Sequence, residues 1–155
     1  MTENEIDQDL LDTKPKDKKI HIRSNPELEN YIYEFEDDVK VTEFNLREKS
    51  LTCSSIWAKW LSYLHLEKET IQRIAQAKKK ILSSRMKDVK SSDSILRMKS
   101  EDKIIENDET MKKLALLSKQ TQDRIDYIER ALGILSNFGY QLRNITEVYK
   151  LQFNH

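Results

Sequence analysis

The sequence predicts an all-α fold of long amphipathic helices with coiled-coil-like packing. Three observations carry that expectation. Only 2 glycines and 2 prolines punctuate 155 residues, whereas sheets and α/β enzymes need many glycine-bearing turns. Charged residues make up 35% and hydrophobic residues 37%, the balance of rods that bury one stripe and solvate the rest. Leu114, Leu117, Thr121, Ile125, Ile128, Leu132 and Leu135 step by three and four, an apolar seam over three heptads. A core this lean, spread over long rods, is expected to close by assembly into a homo-oligomer rather than within one chain. The expected organisation is an arm at 1–24 and a helical domain at 25–155.

The elements follow in order. Residues 1–24 hold six acids and five bases with few large apolar side chains. They are expected to be a disordered arm, dispensable for folding. Asn25-Pro26-Glu27 reads as an N-cap, a proline at the first helical position and an acid in the first turn. A helix is expected from there to about Asp37, then an extended connector at Val39-Lys40-Val41. Thr42 is the expected cap of the next helix, which runs to about Leu64 with Cys53, Ile56, Trp57, Trp60 and Leu64 at helical spacing. A basic helix spans about 66–89. No glycine or proline separates these two, so one long bent rod is open as an alternative. The polar stretch 91–107, with Ser91-Ser92-Asp93-Ser94 at its head, reads as a loop. The last rods, at about 108–153, are the expected oligomerisation helices. Gly139 is read as a kink or C-cap between the seam and a final helix carrying Leu142, Ile145 and Tyr149.

Several chemistries find no residues here. The only glycines are Gly133 and Gly139, so no glycine-rich phosphate loop exists. His21, His65 and His155 are scattered without a second ligand at metal spacing, so no metal, cofactor or catalytic constellation is expected. Cys53 is alone and reads as a small helix-face hydrophobe in a reducing compartment. No apolar run approaches the ~18 residues of a membrane span and no signal peptide opens the chain, so a soluble intracellular protein is expected.

Charge is the informative quantity. The net charge is zero, yet the charges are segregated. Residues 26–48 hold eight acids against Lys40 and Arg47, giving −6. Residues 68–90 hold eight bases, Lys68, Arg73, Lys78, Lys79, Lys80, Arg85, Lys87 and Lys90, against Glu69 and Asp88, giving +6. Such asymmetry points to a polyanionic partner or to contact between acidic and basic segments. At 100° per residue, Ile71, Ile74, Leu82 and Val89 mark the apolar face of the basic helix. Arg73, Lys80 and Lys87 line the opposite face, spaced to follow a phosphate backbone. Lys78 and Arg85 project on the apolar side, where they snorkel, pair with a carboxylate or line a groove between subunits. Trp57, Trp60 and Tyr63 offer either stacking surfaces for bases or packing against the acidic helix. The eight cations are the candidate nucleic-acid-binding residues. Ile125, Ile128, Leu132, Leu135, Leu142 and Ile145 are the candidate oligomerisation residues. The competing reading is a structural coiled-coil adaptor whose acidic and basic segments pair between chains.

Three stretches resemble a known family. They are Trp57-Ala58-Lys59-Trp60-Leu61, Arg73-Ile74-Ala75-Gln76-Ala77-Lys78-Lys79-Lys80 through Arg85, and Lys99-Ser100-Glu101 followed at matching spacing by Gly139-Tyr140-Gln141-Leu142-Arg143-Asn144-Ile145. Their order is similar to that of the UvsY family of recombination mediators from T4-like phages, from about Leu28 to the C-terminus. The resemblance implies a non-enzymatic helical protein forming a closed homo-oligomeric ring, a hexamer or heptamer. It implies binding to single-stranded DNA, to the phage recombinase and to the phage single-strand-binding protein, in the cytoplasm of the infected bacterial host. It also implies roles in DNA recombination, DNA repair and DNA replication. Where the family carries Lys-x-Arg, this chain reads Ser83-Ser84-Arg85, so Arg85 carries over and Lys80 or Lys87 stands in for the lysine.

Overall fold

The computed structural model describes residues 24–87, 89 and 93–153, all in helices or short connections. The helices are α1 (Pro26–Val39), α2 (Leu46–Met86), α3 (Ser94–Asn107) and α4 (Glu109–Phe153). At about 1.5 Å per residue, α2 and α4 are rods of roughly 60 and 70 Å. They pack antiparallel along most of their lengths. Glu67 meets Arg124, Lys68 meets Glu129 and Arg85 meets Asp108, which fixes the register. No described helix is long and apolar enough to cross a membrane.

The start of α1 follows the sequence. Asn25 accepts from the Leu28 amide through Oδ1, and Pro26 opens the helix. The start of α2 does not. Thr42 was the expected cap, but it sits in the turn before the helix and exchanges two hydrogen bonds with Asn45, the residue at the N-cap position. The two bonds form the reciprocal pattern of a capping box over the turn that leads into Leu46.

Between Leu46 and Met86 the rod is unbroken. The stretch 94–107, expected as loop, is the helix α3, capped by Asp93, whose side chain accepts from the Ile95 amide. None of its residues is buried, so no apolar stripe announced it. Gly139 does not end α4, which continues to Phe153. A lone helical glycine costs only about 1 kcal/mol relative to alanine, which packing of Phe138 and Leu142 into the core offsets.

The core lies between α1, the first half of α2 and the middle of α4. It contains Phe35, Ile56, Trp60, Leu64, Ile125, Ile128, Ala131, Leu135, Phe138 and Leu142. Trp60 is fully buried. Its ring lies 5.2 Å from Phe35 and 5.5 Å from Tyr63, both edge to face. Its Nε1–H donates to Asp38 Oδ2 at 2.7 Å. Packing against the acidic helix is therefore the outcome for Trp60 and Tyr63, while Trp57 keeps 41% of its surface exposed.

Candidate nucleic-acid interface

The acidic segment is used within the chain. Lys59 reaches Glu34 at 2.8 Å and Asp38 at 2.6 Å. Burial alone would lower the Lys59 ammonium, but the hydrogen bonds it donates to Asp38 and Glu34 outweigh that and hold its pKa above the usual value. Tyr63 donates to Glu34 at 2.9 Å, and burial followed by that bond raises its hydroxyl. The Lys59-Trp60-Leu61 motif is thus a folding device that fastens α1 to α2.

A second clamp was not legible in the sequence. Glu67 and Arg124 keep only 8% and 6% of their surface and lie 2.9 Å apart. Tyr31 donates to Glu67 Oε1 at 3.0 Å. Burial first, then that bond, pushes the Tyr31 hydroxyl far above its usual value. Arg124 donates to Thr121 Oγ1 at 3.1 Å and to Asn25 Oδ1 at 3.3 Å. Asn25 donates to the Gln120 carbonyl, and Gln120 donates to the Ser24 carbonyl. Glu67 Oε2 is buried with no hydrogen-bond partner. Only the antiparallel register brings these residues together.

The second half of α2 holds the predicted cations in three conditions. Lys68 pairs with Glu129 at 3.1 Å, and Arg73 with Glu69 at 2.6 Å. Arg85 pairs with Asp108 at 3.0 Å. Asp108 also caps α4, accepting from the Thr110 and Met111 amides. The Met111 amide, then Arg85, holds its carboxyl below the usual range. Lys79, Lys80 and Lys87 are exposed and Lys78 is half-buried. None of these four takes part in a salt bridge among the described residues. Lys90 lies outside the described residues. Arg73, Lys80 and Lys87 recur every seven residues, a line of charges about 10.5 Å apart. Lys87 stands just past the helix end.

The candidate oligomerisation residues lie mostly inside the monomer. Ile125, Ile128, Leu135 and Leu142 are buried in the core, and Leu132 packs against it half-buried. Ile145 is half-buried. The seam that its spacing marked as an assembly surface is, for those four residues, filled by α1 and α2. The apolar surface left over lies on the outside of α4 and beside it. Tyr140, Val148, Leu151 and Phe153 are exposed there, and Phe44 is 91% exposed. Glu43, Phe44, Leu46, Tyr149 and Phe153 line a shared hollow.

Residues 34–154 match the model of the family described as "Recombination, repair and ssDNA binding protein UvsY". The chain belongs to the UvsY family. Its fold agrees with two crystal forms of the bacteriophage T4 recombination mediator protein UvsY. One gives a TM-score of 0.67 at 18% identity, covering 81% of this chain and 98% of that one. The other gives 0.65 at 19% identity, covering 81% and 96%. No curated protein matches the chain. The UvsY match begins within α1.

Proposed function

We propose that this chain is a recombination mediator that binds single-stranded DNA through the second half of α2. In this reading it assembles into a closed homo-oligomeric ring, a hexamer or heptamer, in the cytoplasm of the infected bacterial host. It loads the phage recombinase onto strand covered by the phage single-strand-binding protein. The observation that carries the reading is the line of lysines along α2 and just past its end, none in a salt bridge among the described residues, in a UvsY-family chain. Cations with no carboxylate partner are available to phosphates, and each phosphate contact releases counterions. A ring multiplies such weak contacts through effective concentration. The strand is thereby held bent or wrapped, in a form the recombinase takes over. Contacts to phosphates carry no sequence information, so binding is without strong sequence preference.

The test is oligo-dT binding across a salt series. A log–log slope of several units supports the reading. Equal affinity at low and high salt rejects it.

A further inference from the structure

We propose that the acidic block Glu3, Glu5, Asp7, Asp9 and Asp12 docks on the Lys79–Lys80–Lys87 face of α2 and is displaced by single-stranded DNA. The proposal rests on the reading that this face binds DNA.

The place where the arm joins the body is the first support. The Ser24 carbonyl is held by Gln120, and Asn25 by Gln120 and Arg124. Arg124 faces Glu67, and Asp108 faces Arg85. By that register Gln120 stands at the level of Arg73, where the line of cations begins. From there α1 runs the other way, towards Lys59 and Trp60. The arm therefore leaves the body beside the basic half of α2, on a stretch that α1 does not reach.

Reach is the second support. Residues 13–23 span at most about 36–40 Å when extended. Arg73 to Lys87 covers about 21 Å of helix. The acidic block can meet any cation of the line on its own chain.

Charge is the third. Residues 3–12 carry five acids and no base. Lys78, Lys79, Lys80 and Lys87 have no salt-bridge partner among the described residues. The α1 acids Glu34 and Asp38 are engaged with Lys59 at the other end of the bundle. Residues 3–12 thus bring five negative charges within ten positions of chain. That is a polyanion of the kind the face is built to take. Exposed ion pairs are individually weak and screened by salt. The block is therefore a competitor that DNA displaces and not a permanent lid. It disfavours short or transient contacts while a long strand, bound at many subunits, overrides it.

The experiment uses the full chain and a charge-neutral version, E3Q/E5Q/D7N/D9N/D12N. Amine-reactive labelling, read by mass spectrometry without DNA, reports each lysine. Lys79, Lys80 and Lys87 are expected to label at least about twofold faster in the neutral version, the difference vanishing in high salt. Oligo-dT affinity at low salt is expected to rise about threefold. Equal labelling of these three lysines in both proteins overturns the proposal. So does a change confined to Lys14, Lys16, Lys18 and Lys19, which would mean that the arm pairs with itself. Protection of Lys79, Lys80 and Lys87 by oligo-dT in the neutral version is read separately. Its absence would reject DNA binding at this face while leaving arm docking standing on the labelling difference.

Discussion

Two charged pairs in this chain have opposite energetics. Glu67 and Arg124 are both nine-tenths buried, so removing either partner strands a charge in the interior. Glu67→Gln is expected to lower unfolding free energy by about 3–5 kcal/mol, whereas Glu67→Leu with Arg124→Leu costs much less. Urea unfolding of the three proteins checks this, and equal losses would contradict it. Arg85 and Asp108 form an exposed pair, and their interest is functional. Asp108→Asn keeps a capping oxygen for α4 but frees Arg85 of a counter-charge. Oligo-dT affinity is expected to rise about twofold, while Arg85→Ala lowers it; a titration of both variants decides. The Asp108 carboxyl is held below the usual range. A depressed carboxylate contributes stability above its unfolded pKa and loses it as pH falls through the folded value. The tie between α2 and α4 at this end is therefore intact at neutral pH and loosens only in acid, as pH falls through the depressed folded value.

At the scale of elements, the line Arg73, Lys80 and Lys87 makes α2 two devices in one helix. Its first half packs and its second half presents charge. Lys80→Ala with Lys87→Ala is expected to weaken oligo-dT binding by about 1–3 kcal/mol. The melting temperature should not move, since neither residue has a salt bridge among the described residues. In α4 nothing lies within 4 Å of a Cβ added at Gly139. Gly139→Ala is expected to raise stability by about 0.5–1 kcal/mol, measurable by thermal denaturation; a loss would mean that the glycine is needed for a bend or a close approach. Element boundaries were legible where local chemistry sets them, as at Asn25-Pro26. They were not legible where two local options compete, as at Thr42 and Asn45. The helix α3 was hidden because its exposed Ile95, Leu96 and Met98 follow no buried face. The cations of the site were legible as residue types. Their partners were not, because Lys68–Glu129 and Arg85–Asp108 depend on the register of two helices far apart in sequence.

At the scale of the molecule, the apolar seam read from spacing proved to be largely the monomer's own core, since spacing alone does not say whose helix fills a stripe. Proposed assembly then falls to the outer surface near the end of α4. Leu151→Glu with Phe153→Glu is expected to reduce the oligomer to monomers or small assemblies. Binding to oligo-dT should weaken by at least tenfold as multivalency is lost. Light scattering with and without DNA measures the first effect, and an unchanged mass would exclude this surface.

The antiparallel register places the exposed Phe44, Leu151 and Phe153 at one end of a long hairpin and the lysines at the other. Leu46 to Lys80 is about 51 Å of helix. If subunits are joined near the apolar end, each hairpin is a lever with its fulcrum at the joint. A tilt of about 10° there swings Lys80 by roughly 9 Å, more than the ~5.4 Å of a full helical turn. Small adjustments between neighbours would thus change the circumference offered to a bound strand, tightening or slackening it without any helix unfolding.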